Sequence, residues 1–310
     1  MGDWLAKYFL ARWKMVTDKA KGFSFPGFGG IPLYDVVVFF FRGIVRGAVT
    51  TRASAIAFSF FLAIFPSIIF LFTLIPYIPI ANFQAQLLEL LKGIIPSNAF
   101  SAIESTLVEV VTLKSGGLLS FGFIAALFFS TNGVNSLIGA FNATYHAIET
   151  RNIYSQYLVS IFLTLLLTLL VSLATSLIFF SQYVLGYLEM HGILQEGITL
   201  YLLVLGKWIV VLALFFFSIA LLYFYAPAKR MKFRFFSPGA TLATILAIVT
   251  SLGFSAYVND FGQYNKLYGS IGSFMALMLW LYFNAIALLI GFELNVSIYS
   301  AGNDKRHVIL

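Results

Sequence analysis

One carboxylate and a stripe of amides are the chemically capable groups inside the apolar stretches of this 310-residue chain. Glu293 lies one to two turns from the end of the last apolar run, in Gly291-Phe292-Glu293-Leu294. A charged side chain at that depth costs at least ~2.5–3.5 kcal/mol on insertion scales, so it must find a donor or carry a proton or cation. Arg52, at the mouth of the first run, is the expected donor, and Arg46 and Arg151 are expected on the same side. Two roles stay open for Glu293 and Arg52: a structural charge pair, or a proton- or cation-coupling site.

Asn132, Asn135, Gly139, Asn142 and His146 are spaced 3-4-3-4 and so share one helical face. That stripe is either interhelical hydrogen bonding, at roughly 0.6–2 kcal/mol per bond, or one wall of a polar pathway. A short loop at 257–273 carries Asp260, Tyr264, Asn265 and Tyr268. It reads either as an interfacial aromatic belt with a tight turn or as the outer gate of a cavity. Lys207, beside Trp208, is expected to snorkel to the interface.

Other chemistry is poorly provided for. The chain has no cysteine, which removes disulfides and thiol ligands. Its three histidines, His146, His191 and His307, fall on separate segments with no acidic cluster, so no metal site, catalytic residue or cofactor is expected.

The elements that must position these groups are six apolar runs, at about 54–78, 118–142, 153–184, 201–225, 239–258 and 271–299. Each is long enough to cross a bilayer core, which takes about 20 helical residues. A chain that is 60% hydrophobic and 10% charged is no ordinary soluble domain. The fold class is therefore all-α and polytopic. The third run, at 1.5 Å per residue, spans roughly 48 Å and must tilt or project. Pro66 should kink the first.

Charge sets the orientation, because Lys and Arg near helix ends are retained in the cytoplasm. Fifteen of the 19 basic residues fall before the first span, at Arg151, in the loop Lys229–Arg234, or at Lys305 and Arg306. The other loops hold only Lys92, Lys114 and Lys266. Six spans with both termini cytoplasmic satisfy every loop. The net charge of +7 is then a topology signal with attraction to anionic headgroups, and no nucleic-acid partner is expected. Membrane lipids are the expected partners, and a homo-oligomer is left open.

Outside the spans, residues 1–30 form a basic cytoplasmic segment without a cleavable signal pattern. Its end, Phe23–Gly30, is Gly/Pro/Phe-rich and reads as too flexible for regular structure. Ile31–Ala53 reads as one basic amphipathic helix in the cytoplasmic interface. The first outer loop, about 80–117, predicts two amphipathic helices flanking Pro96-Ser97. Residues 31–300 then form one membrane domain and 301–310 a cytoplasmic tail.

Several stretches resemble the YihY/BrkB family of bacterial inner-membrane proteins. Arg52-ASAIAFSFFLAIFP-Ser67 is similar to its first-span signature, and Thr131-NGVNSLIGAFNATYH-Ala147 to its second-span motif. Tyr225-AP-Ala228, Pro238-GA-Thr241, Tyr268-GSIGS-Phe274, Trp280-LY-Phe283 and Gly291-FE-Leu294 continue the pattern in order. Phe58 departs from a common tyrosine and Phe292 from a small residue. The resemblance implies six spans and a place in the bacterial inner membrane, with roles in the envelope that include export of lipid-like molecules. It also carries an old ribonuclease label that the residues do not support. The leading expectation is a transporter or flippase-like exporter of a lipid or other amphiphile. A proton- or cation-coupled small-solute exchanger and a non-transporting envelope scaffold are the alternatives. An enzyme is not expected.

Overall fold

Long apolar runs leave the backbone only one way to satisfy its own polar groups in lipid, which is the helix. The computed structural model describes residues 21–77, 84–85, 88–89, 108, 114–144, 147–148, 151–190, 198–228, 236–260 and 270–308. Six of its helices contain segments long and apolar enough to span a bilayer: Val49–Tyr77, Gly116–Asn142, Ile153–Ser181, Tyr201–Tyr225, Pro238–Tyr257 and Phe274–Gly302. The chain is an all-α polytopic membrane protein.

The helices in chain order are α1 Leu33–Arg46, α2 Val49–Leu74, α3 Gly116–Asn142, α4 Ile153–Met190, α5 Ile198–Tyr225, α6 Pro238–Asp260 and α7 Ser270–Val308. A single 3-10 turn, Ile75–Tyr77, closes α2. Between α3 and α4 lies a two-residue antiparallel ladder, β1 Ala143–Thr144 with β2 Ala147–Ile148, which the sequence did not announce. Helices α4 and α7 have 38 and 39 residues, so both outrun the bilayer. Helix α7 continues well beyond the expected end of the sixth span, to Val308. Pro66 sits inside α2, and one residue on the Ser67 hydroxyl donates to the Ala63 carbonyl at 2.7 Å.

One expected boundary is wrong. Residues 31–53 do not form a single helix: α1 stops at Arg46 and α2 starts at Val49. Gly47 donates its N–H to the Gly43 carbonyl at 2.8 Å, and Ala48 takes the left-handed φ of 48° that ends a helix. Arg52 consequently belongs to the first turns of the spanning helix. Phe23–Gly30, expected to be flexible, forms defined turns, with Phe28 N–H bonding the Phe25 carbonyl and Leu33 N–H the Phe23 carbonyl. Gly27, at φ 99°, lies against Pro238 at the start of α6. Of the two helices expected in the 80–117 loop only residues 84–85, 88–89 and 108 are described, each of them helical, and the segment 1–20 lies outside the described residues.

The chain divides into two compact units, with boundaries inside α2 and α3. Residues 58–133 form one, a pairing of α2 with α3. There Gly122 lets α3 approach the Phe70 backbone, and Gly133 packs on the Phe60 ring. The second unit holds the rest of the described chain. In it α6 packs along α7, α4 on α5, α5 on α6, and α1 along α7.

Candidate functional site

The second unit contains a buried charge pair, Arg52–Glu293. Glu293, on α7, is 1% exposed, and its Oε1 accepts a hydrogen bond from Arg52 Nη2 at 2.9 Å. Arg52 Nη1 donates to the Ala140 carbonyl at 2.7 Å, one of the last-turn carbonyls of α3 that lack an intrahelical partner. One guanidinium thus ties together the start of α2, the end of α3 and the middle of α7. Gly47 lies against the pair: a Cβ there would stand 2.9 Å from Arg52 Nη2 and 3.1 Å from Glu293 Oε1. The break between α1 and α2 therefore needs glycine for space.

The pair is incompletely satisfied. Glu293 Oε2 and Arg52 Nε have no hydrogen-bond partner among the described residues. The same holds for Ser297 Oγ, one turn along α7, and for Asn142 Nδ2 and Thr144 Oγ1, close in sequence to Ala140. All three residues are buried. Orphaned polar atoms in a protein interior are uncommon, and each costs about 1–3 kcal/mol.

Beside this polar cluster stands an aromatic one. Phe292 stacks on Phe141 with ring centres 4.3 Å apart, and Tyr223 meets both edge-on at 5.5 Å. The Tyr223 hydroxyl is spent on the Leu288 carbonyl. Phe292, where the family resemblance leads one to expect a small residue, is thus a buried wall next to Glu293.

The amide stripe divides. Asn135 Oδ1 accepts from Gln156 Nε2 at 2.7 Å and from Ser160 Oγ at 3.4 Å, which joins α3 to α4. Asn142 Oδ1 accepts from the Ala228 N–H at 2.8 Å. Asn132 is half-buried in the other unit, and a Cβ at Gly139 would meet nothing. Arg151, once a candidate partner for Glu293, instead spreads its guanidinium over the carbonyls of Tyr225, Ala226 and Pro227. It caps the C-terminal end of α5, where a cation suits the helix dipole. Lys207 lies 5.2 Å from the Trp208 ring centre. His146, Tyr264, Asn265, Tyr268 and the Asp260 side chain lie outside the described residues, so the gate is not placed.

Sequence reasoning passed over Asn295, Ser237 and Ser297. Ser237 Oγ accepts from the Ala240 N–H at 3.2 Å as the N-cap of α6, ahead of Pro238. Asn295 completes the cap, its Oδ1 accepting from the Gly239 N–H at 2.8 Å and its Nδ2 donating to Ser237 Oγ at 2.9 Å. The signal was present: Ser-Pro marks a helix start, and an amide two residues beyond an intramembrane acid is costly unless bonded.

The virulence factor BrkB family matches residues 40–308. The chain belongs to that family. The BrkB match takes in the end of α1, Arg52, Glu293 and every orphaned polar atom named above. A putative ribonuclease-like protein, YfkH of Bacillus subtilis, is 33% identical over 249 residues, 80% of this chain and 90% of the relative. A UPF0761 membrane protein of Alteromonas mediterranea is 24% identical over 275 residues, 88% of this chain and 91% of its own length. One from Stenotrophomonas maltophilia is 28% identical over 253 residues, 79% of this chain. The match spans only 56% of that longer relative. No solved structure matches the chain.

Proposed function

We propose that this BrkB-family protein moves a lipid or lipid-like amphiphile across the bacterial inner membrane, with both termini in the cytoplasm. The observation that carries this reading is the buried Arg52–Glu293 pair, with Glu293 Oε2, Arg52 Nε and the Ser297 hydroxyl one turn along α7 left without a partner among the described residues. Membrane helices keep such groups where they meet a polar moiety or water. An amphiphile supplies both a headgroup for the cluster and tails for the apolar faces around it.

A small-solute exchanger coupled to a proton or cation is the second reading, supported by the free Glu293 Oε2 alone. A scaffold has less support, since it needs no orphaned charge. The ribonuclease-like name belongs to the Bacillus relative. Here, no group of three His, Cys, Asp or Glu residues gathers among the described residues, and we propose no enzymatic activity.

The test is reconstitution into vesicles holding fluorescent-headgroup lipids, with a membrane-impermeant quencher added outside. The protein should raise the quenched fraction beyond that of empty vesicles, and Ser297→Ala should alter the rate. Flat traces with several headgroups, alongside solute uptake driven by a pH or sodium gradient, would replace the first reading with the second.

A further inference from the structure

Helix α1 presents three distinct faces. Val36 and Gly43 are buried where the helix lies along α7. On the far side Val37, Phe41 and Val45, at 39%, 60% and 78% exposure, recur every four residues and form an uncovered apolar stripe. Between the two faces, at helical spacing, sit Arg42 and Arg46, both exposed. Apolar residues lying opposite a helix's own packing face cannot be serving the bundle.

The chain fixes where this stripe must lie. Only Gly47 and Ala48 separate α1 from α2, whose apolar segment begins at Val49. The C-terminal end of α1 is therefore held within about one turn of the level at which the first span enters the bilayer. A stripe of Val and Phe at that level, edged by arginines, has the pattern of a helix lying in the membrane interface. Arginine suits this place because its fork pairs two phosphate oxygens at once.

We infer that α1 is a binding surface for the anionic leaflet: Val37, Phe41 and Val45 enter the acyl region, and Arg42 and Arg46 engage headgroup phosphates. This does not depend on transport. The surface sits next to the charge pair, since Gly47, which follows Arg46 directly, leaves no room for a Cβ beside Arg52 and Glu293. Headgroup occupancy at α1 thus bears on the segment that packs the pair.

The absence of cysteine makes the test direct. Val37→Cys and Val45→Cys, each carrying a nitroxide, are reconstituted as full-length protein in phosphatidylcholine vesicles with and without phosphatidylglycerol. Both labels should collide more often with oxygen than with a water-soluble nickel chelate, and more so in the anionic vesicles. Native mass spectrometry should show phosphatidylglycerol retained over phosphatidylcholine. That preference should fall roughly fivefold for each of Arg42→Gln and Arg46→Gln, with a cooperative melting transition retained in both. Labels as accessible to the nickel chelate as a water-facing site would overturn the inference. So would dipolar broadening from a second label, which would mark a second copy on this face, or a headgroup preference untouched by the double variant.

Discussion

Gly239 and Gly291 meet where α6 crosses α7, so closely that a Cβ on either would overlap the carbonyl oxygen of the other. Two glycines at a crossing let membrane helices approach backbone to backbone, where packing takes the place of the hydrophobic drive that lipid cannot supply. The crossing also brings Asn295 under the first turn of α6, where it completes the Ser237 cap.

Gly291→Ala and Gly239→Ala should therefore each destabilise the protein by about 1–3 kcal/mol or more, by forcing backbone apart. Gly206→Ala, whose added Cβ meets nothing, is the control and should be neutral or mildly stabilising. Thermal melts in one detergent would compare the three. Equal losses at all three sites would remove the crossing as the cause.

Asn135 and Gln156 join α3 to α4 through a single 2.7 Å bond. Asn135→Ala and Gln156→Ala should each cost roughly 0.6–2 kcal/mol, and the double variant little more than either. Additive losses would show that the two amides do not act as a pair. Asn142→Ala strips the Ala228 N–H of its acceptor and should cost about as much.

Helix count and type were legible because apolar length is a composition signal, read over 20 or more residues at once. The α1–α2 break was not, because it rests on Gly47 and on Ala48 at φ 48°, local geometry beside a charge pair whose two members lie 241 residues apart in sequence. Arg52 was legible as a donor for Glu293 because an intramembrane carboxylate demands one and Arg52 stands at the mouth of the first apolar run. Arg151 looked equally suited, yet it serves the carbonyls closing α5. Which cation meets which acceptor depends on the angle of helix packing, and periodicity does not carry that angle. The stripe Asn132–Asn142 was seen as one face, but Asn135 and Asn142 meet different partners because the face passes different neighbours along its length.

The charge distribution predicts both termini in the cytoplasm, and the structure supplies exposed probe sites. Phe236, 72% exposed just before α6, should react as Phe236→Cys only with reagents admitted to the cytoplasm. Ser115, exposed ahead of α3, should react as Ser115→Cys with impermeant maleimide added to intact cells. The reverse pattern would invert the topology, and labelling of both from one side would require an even number of spans between them, against the three that α3, α4 and α5 provide.

The Arg52–Glu293 pair separates structural from functional roles most sharply. Removing one partner leaves a buried charge uncompensated, so Arg52→Leu and Glu293→Leu should each cost about 3–5 kcal/mol. Replacing both by leucine removes the orphan along with the pair, and buried pairs exchanged for apolar residues are often neutral. The double variant should then melt above either single variant. Once it is folded, its activity is informative. If the pair only packs the helices, translocation per folded molecule should match the wild type. If the pair meets the headgroup or a coupling ion, translocation should fall while the melting curve holds. A double variant no more stable than Arg52→Leu, with Glu293→Leu close to the wild type, would show instead that Arg52 works mainly through the Ala140 carbonyl, a bond to α3 that leucine cannot replace.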